Sequence, residues 1–542
     1  MSSKSEQTPR RFSIIYVVLI ALGLFALYFA RLGSYPLTDP DEPIYGQVAK
    51  EMAAGAGWLT PHYNGQPWFD KPPMFYWLTA GCSRVLGPTE LAQRIPSAVI
   101  AVALVFLLYF IASYDFGKRT GIIASIVMAT CLQQIILARA AVTDMTFAFF
   151  LLFALYAYRR WLDASGPSRF GWMALCGVMT GLAMLTKGPV APLLLFIAFA
   201  IHLYWTRRLK RLASFDALTG VAACLIVGLP WFIAMYAINH DAFYNQFIVL
   251  NNITRITKAE HSATTGRWWS VFLNIPVLLL FFFPWSVFLP AAFIRFRNVN
   301  DGAKLAAVWI GVVFIFFSVS KTQLPTYIFP LYPMAAVLVG ALWHSAASKD
   351  IRSLKSVKSA LIVDIVISLL IAIALVKVAH RSYPEARTAA LELGLILVVS
   401  LTAALVYIRR EAQNTGRSMW IIGTGMAFFT LILMVGLIPK ITSRLSACDI
   451  IRNTPIASST RVAELNLRRP SLLFYMNRLP KHISDPSDAR RMLAEEVSTC
   501  IICKDAEAAG IRIPGSVELA RSGGLSIVAN ASALGRKGTK SN

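Results

Sequence analysis

The sequence predicts an all-α polytopic membrane protein with a small α/β domain at its carboxyl end. Three observations carry this. Of 542 residues, 56% are hydrophobic and only 15% are charged, far from the balance of a soluble protein. Thirteen apolar runs recur along the chain, each near the length of about 20 residues that lets a helix cross a hydrocarbon core with its backbone bonded internally. Beyond the last run the chain turns polar for a stretch the size of a small domain.

The runs fall near 12–30, 93–113, 120–137, 142–158, 170–186, 190–206, 216–238, 270–294, 305–319, 325–345, 359–379, 388–408 and 418–438. The first follows Lys4, Arg10 and Arg11 without a small-residue cleavage site, so an uncleaved anchor is expected. A net charge of +24 would suggest a nucleic-acid partner in a soluble chain. Here the basic residues sit in short loops: Lys118-Arg119, Arg159-Arg160, Arg207-Arg208, Arg295 to Lys304, Lys349 to Lys358 and Arg409-Arg410. Placing the amino terminus in the cytoplasm puts every one of them on the cytoplasmic side, so topology accounts for the charge and no nucleic acid is expected. The transmembrane domain is expected over 1–439, with long outer loops at 31–92 and 239–269.

An odd number of crossings places a carboxyl-terminal domain, 440–542, on the outer, periplasmic side. Its short apolar runs, Ser471 to Tyr475, Val497 to Cys503 and Leu525 to Val528, broken by Pro, Gly and charges, read as α/β or α+β. Cys500 and Cys503 have redox-motif spacing, but on a strand three positions apart they face opposite ways, which favours core roles. The seven cysteines form no regular disulfide framework. From about Gly535 the chain reads as a basic disordered tail.

Chemistry is expected where polar groups of both signs gather at one membrane level. In the first outer loop Asp39, Asp41 and Glu42 lie within four residues. Asp39 as N-cap, Pro40 at N1 and Glu42 at N3 would make a capping box, which explains two of the three acids and leaves Asp41 without a structural task. Asp70-Lys71-Pro72-Pro73 follows in the same loop, beside an aromatic belt; a surface ion pair explains it as well as function does. At the same level stand Arg139 and Asp144 between two runs, Lys187 ending another, and Lys321. An acid at a helix start and a base at a helix end each complement the helix dipole, but together they ring one outer pocket with mixed charge. Asp364 lies inside an apolar run near its cytoplasmic end, where snorkelling or pairing with Lys358 competes with an intramembrane function. Asp70, Glu260 and His261 are a candidate Zn²⁺ set across the two outer loops, although an exposed loop histidine is more often unliganded.

Asp41-Glu42 after a first membrane helix, Phe69-Asp70-Lys71-Pro72-Pro73, Arg94-Ile-Pro-Ser97, Arg139 with Asp144-Met145, Leu185-Thr-Lys187-Gly-Pro189, and Ser320-Lys321-Thr-Gln-Leu-Pro325-Thr-Tyr327 resemble the bacterial lipid A aminoarabinose transferases. Those enzymes belong to the wider protein O-mannosyltransferase-like group of GT-C glycosyltransferases. The resemblance spans about residues 30–345 and reaches the last domain weakly through Pro470 to Tyr475. It implies a GT-C fold of thirteen membrane helices, interfacial helices in the first outer loop and a periplasmic carboxyl-terminal domain. It also implies transfer of a sugar, with inversion, from a polyprenyl-phosphate carrier to lipid A or another envelope acceptor at the outer face of the inner membrane.

By the same resemblance Asp41, Lys71 and Asp144 are the expected catalytic residues. Asp41 would be the base, or the group that orients the acceptor, Lys71 the cation on the leaving phosphate, and Asp144 a second acid. Glu42, Asp70, Arg139, Lys187, Arg267, Lys321 and Tyr327 form the expected substrate-binding set. No nucleotide or other cofactor is required, and the chain has no phosphate-cradling glycine loop.

Departures from the family leave the sugar and acceptor open. Pro43-Ile44-Tyr45 stands where a Thr-Arg-Tyr is usual, Asp70 where Glu is favoured, and Asn251-Asn252-Ile-Thr-Arg255 in the second outer loop. A protein acceptor is one alternative. A lipid-linked sugar flippase is another, but such proteins place their binding groups at the bilayer midplane, commonly between internal repeats. This chain shows no repeat and gathers its charges at one surface.

Overall fold

The computed structural model describes residues 22–254, 268–410 and 415–534. Every apolar run after the first coincides with a helical segment; most of the first lies outside the described residues. Among the described residues eight helices are long and apolar enough to cross a membrane, ten if each of two bent pairs is one span. The expected thirteen are not all single straight crossings, and the reasons are local. Val190–Trp205 is short, and Asp144–Asp163 carries charges at both ends.

The run at 120–137 breaks into Lys118–Ala129 and Leu132–Ala138 at 66°, and that at 270–294 into Asn274–Phe281 and Trp285–Phe296 at 113°. Irregular backbone at membrane depth must find partners inside the protein. These two breaks satisfy each other. The Leu132 amide donates to the Phe283 carbonyl at 3.3 Å, the Cys131 thiol to Phe281 O at 3.2 Å, and the Trp285 indole to Thr130 Oγ1 at 3.1 Å.

The helices Ser168–Lys187 and Phe215–Phe243 are joined by small residues. A Cβ at Gly177 would lie 2.0 Å from the Gly220 carbonyl oxygen, so only glycine lets the two backbones approach this closely.

The first outer loop is itself structured. Helices Asp41–Ala53 and Met74–Leu86 flank a small hairpin of β1 (His62–Tyr63) and β2 (Gln66–Pro67). Asn64 and Gly65 both take positive φ at its turn, as a two-residue hairpin loop requires. In the second outer loop residues 239–254 are not open loop: the helix kinks at His240 (φ 42°), resumes to Phe243 and continues as a wider helix, Tyr244–Thr254.

After the helical stretch ending at Leu445, the chain folds into a five-stranded sheet interleaved with short helices. It comprises β3 (Arg461–Leu465), β4 (Lys481–Ile483), β5 (Thr499–Lys504), β6 (Val517–Ser522) and β7 (Leu525–Ala529), in the order β4-β3-β5-β7-β6. β3 is parallel to β4 and β5, and β7 is antiparallel to β5 and β6. Apolar side chains fill both faces, with Ile501 and Cys503 in one core and Cys500 and Ile502 in the other, which is the α/β arrangement expected.

Candidate active site

Asp41 is the first residue of the Asp41–Ala53 helix, and its neighbours on both sides are immobilised. Glu42 is buried against Arg94, which donates Nε and Nη2 to its two carboxylate oxygens at 2.8 Å each. Glu42 also accepts from the amide and hydroxyl of Thr38, at 2.9 and 3.0 Å, and from the Ala141 amide at 2.8 Å. Burial alone would raise this carboxyl's pKa, but the guanidinium and the N–H donors outweigh it and hold it below the ordinary glutamate range. The capping box expected from sequence does not form. Pro40 occupies the cap position, Asp39 accepts instead from the amide and hydroxyl of Ser471, at 2.8 and 2.6 Å, and Glu42 reaches back to Thr38.

Asp41 itself accepts no hydrogen bond among the described residues. Asp41 is exposed to water, with protein atoms close enough on one side to desolvate its carboxyl in part. That desolvation raises its pKa above the ordinary aspartate value, with Asp144 and Asp70 adding to the effect and Lys71 and Lys187 opposing it. These five side chains therefore share one electrostatic neighbourhood.

The charges are organised as two lysine–carboxylate pairs. Lys71 Nζ lies 2.8 Å from Asp70 Oδ2, and Lys187 Nζ 2.7 Å from Asp144 Oδ1. The second pair joins the end of one helix to the start of another: Lys187 closes Ser168–Lys187, where Gly188 turns the chain at φ 86°, and Asp144 opens Asp144–Asp163. Asp70, Lys71, Lys187 and Tyr327 line one cavity of about 110 Å³. The Tyr327 and Phe147 rings lie 5.7 and 5.3 Å from Lys187 Nζ, so the cations face a partly aromatic wall.

Not every expected residue reaches this cavity: neither Asp41 nor Asp144 is in its lining, and Asp144 adjoins it through its pair with Lys187. Arg139 is buried elsewhere, donating to the carbonyls of Leu27 and Ala30 at 3.2 and 2.6 Å. It ties the first helix to the broken one and offers the cavity nothing. Glu42 is committed to Arg94, and Lys321 is exposed outside the lining. Arg267, Glu260 and His261 lie outside the described residues, so the candidate zinc set reduces here to Asp70, paired with Lys71; among the described residues no three His, Cys, Asp or Glu cluster as a metal site would need. Asp364 is fully buried with no hydrogen bond to either carboxylate oxygen. It therefore neither snorkels nor pairs with Lys358.

Cavity residues the sequence did not single out are mostly aromatic: Phe147, Phe247, Phe316 and Phe317. In a chain this rich in apolar residues, nothing distinguishes them from lipid-facing positions. Asn251, whose amide donates to Phe69 O at 3.1 Å, stood out only as a departure from the related loop.

The bent helices, the structured first outer loop and the carboxyl-terminal sheet together define a membrane protein of the GT-C fold. The fold is that of ArnT from Cupriavidus metallidurans solved with bound undecaprenyl phosphate: TM-score 0.82 over 96% of this chain and 99% of that one, at 22% identity.

In sequence the chain is similar to the undecaprenyl phosphate-alpha-4-amino-4-deoxy-L-arabinose arabinosyl transferases, as its motifs imply. It is 32% identical to that of Pseudomonas aeruginosa over 60% of this chain and 59% of the relative. It is 28% identical to one from Pseudomonas fluorescens over 73% and 71%. A family described as dolichyl-phosphate-mannose-protein mannosyltransferase matches residues 70–234. The match spans about three fifths of the length of the Pseudomonas aeruginosa relative.

Proposed function

We propose that this protein is an integral-membrane glycosyltransferase that moves a sugar, by inversion, from undecaprenyl phosphate to lipid A or a related envelope acceptor. The observation that carries the reading is the pairing of Lys71 and Lys187 with carboxylates at one cavity beside Asp41. An acceptor oxygen attacks the anomeric carbon while the bond from that carbon to the phosphate oxygen breaks. The bonding electrons leave on undecaprenyl phosphate, whose added negative charge meets Lys71 and Lys187, with Tyr327 in hydrogen-bonding range of the same space. An acceptor hydroxyl gives its proton to Asp41. An acceptor phosphate has none to give, and Asp41 then orients the acceptor and stabilises positive charge on the sugar, with Asp144 as the second acid.

In this reading the two lysines supply the positive charge and no metal is required. EDTA leaves the rate unchanged; a zinc-dependent rate would instead favour the Asp70, Glu260 and His261 set. We place the protein in the bacterial inner membrane with its amino terminus in the cytoplasm and residues 440–542 in the periplasm, as the distribution of basic loops supports.

The test has two arms. Intact lipid A from a deletion strain loses a sugar-sized mass that wild type restores and Asp41→Asn does not. In a purified assay with undecaprenyl phosphate-linked aminoarabinose, Asp41→Asn abolishes transfer and Asp364→Asn does not. The reverse pattern favours a flippase. The mannosyltransferase description of the family matching 70–234 favours a second reading, a periplasmic protein as acceptor, which an unchanged lipid A with an altered glycoprotein profile would select.

A further inference from the structure

The segment leading into Asp41 is held from two sides: Arg94 donates to the carbonyls of Leu32, Tyr35 and Pro36 at 3.1, 2.8 and 2.8 Å, and the carboxyl-terminal domain holds Leu37 and Asp39. The Leu37 amide donates to the Tyr475 hydroxyl at 2.8 Å. The Asp39 amide donates to the Leu445 carbonyl at 2.9 Å. The Asp39 carboxylate takes both the amide and the hydroxyl of Ser471, which is fully buried. Further along the Asp41–Ala53 helix Lys50 donates to the Phe474 carbonyl at 2.9 Å, and Arg452 bridges to Glu90, the first residue of the helix Glu90–Phe116, at 2.7 Å.

On the other side of Asp41 the fixed partner is Glu42, locked to Arg94. Among the described residues no hydrogen bond fixes the Asp41 carboxylate, which feels its neighbours only through their charges. Its position is inherited from residues 37–39 and 42.

We infer that the carboxyl-terminal domain is a working part of the active site, and that Ser471, acting through Asp39, sets the position from which Asp41 meets the acceptor. Ser471, Tyr475 and Asp39 are positioning residues: their hydrogen bonds fix the backbone that carries Asp41, not Asp41's carboxylate itself. Displacing a reacting group by about 1 Å can cost on the order of a hundredfold in rate while binding elsewhere is untouched. The clamp therefore acts on kcat. The donor phosphate, held by lysines that the clamp does not touch, keeps its KM. This inference rests on the proposed role of Asp41.

The experiment uses the full-length protein in detergent or nanodiscs, with undecaprenyl phosphate-linked aminoarabinose as donor and lipid A as acceptor. Ser471→Ala lowers kcat by about tenfold or more, leaves the donor KM within twofold, and leaves the melting temperature near that of wild type. Ser471→Thr, which keeps the hydroxyl, restores kcat. Tyr475→Phe, which removes the hydroxyl that accepts from Leu37 and donates to Glu90 at 3.1 Å, shows the same split and serves if the serine variant folds poorly. Wild-type kcat in both Ser471→Ala and Tyr475→Phe, or losses in kcat that merely track the folded fraction, overturns the inference. Asp41→Asn in the same series separates the two claims. If it is inactive while the clamp variants are normal, the positioning role fails and the catalytic reading stands. If it is fully active, the catalytic reading itself fails, and the inference with it.

Discussion

Adjacent residues Asp41 and Glu42 have opposite electrostatic fates, and the difference separates chemistry from structure. Glu42 has a guanidinium and three N–H or O–H donors; Asp41, exposed but partly desolvated, has two other acids nearby. The raised pKa of Asp41 means that its ionised form is less comfortable folded than unfolded. The stability associated with it is present below the unfolded pKa and is lost as pH rises through the folded one. At neutral pH Asp41→Asn is therefore expected to raise the melting temperature while abolishing transfer, a trade typical of functional carboxylates. Calorimetry of the detergent-solubilised pair of proteins checks it, and an equal or lower melting temperature would contradict it. Transfer by the wild type should also fall on the acid side at a pH above the ordinary aspartate range.

Glu42 has the opposite sign. Its lowered pKa contributes stability above the unfolded value that is lost as pH falls through the folded one. Arg94→Ala, which strands a buried carboxylate, should cost about 3–5 kcal/mol, seen as a large drop in the melting temperature.

At the scale of elements, the cavity is assembled by ends and breaks rather than by regular helix faces. Lys187 and Asp144 meet because one helix stops at Gly188 and another starts at Asp144. The helix bearing Lys187 is placed by its glycine contact with Phe215–Phe243. Gly177→Leu must push those helices apart, since even a Cβ there would sit 2.0 Å from a carbonyl oxygen. A destabilisation of about 1–3 kcal/mol is expected, with transfer falling as Lys187 is carried away from Asp144. Unchanged thermal unfolding would show that the helix pair yields without consequence. The two broken runs teach a related point. Apolar length marked both as crossings, but the bends of 66° and 113° occur where their unsatisfied backbone groups find each other, a pairing between residues about 150 positions apart.

At the scale of the whole molecule, the carboxyl-terminal domain and the first outer loop share one face, so both stand on the same side of the membrane. The proposed orientation makes that side the periplasm. Cysteine introduced at exposed Lys481 should react with a membrane-impermeant maleimide in intact spheroplasts, whereas cysteine at exposed Arg352 should react only after lysis. The reverse labelling would invert the topology.

The sequence by itself determined the class of molecule, the order of its apolar segments and the α/β character of the last domain. Each of these follows from composition, period or spacing, which are local properties. Its motifs also carried the family resemblance and the two lysines. Only the tertiary structure decided which charged residues do which work. Arg94 and Arg139 look alike in the chain as basic residues near helix ends, yet one neutralises Glu42 and the other binds backbone carbonyls, while Lys71 and Lys187 alone of the described basic candidates line the cavity. The same holds for Asp39, whose partner Ser471 lies 432 positions away. A charged side chain is defined by what it faces, and partners brought together from distant segments leave no periodic trace in either segment alone.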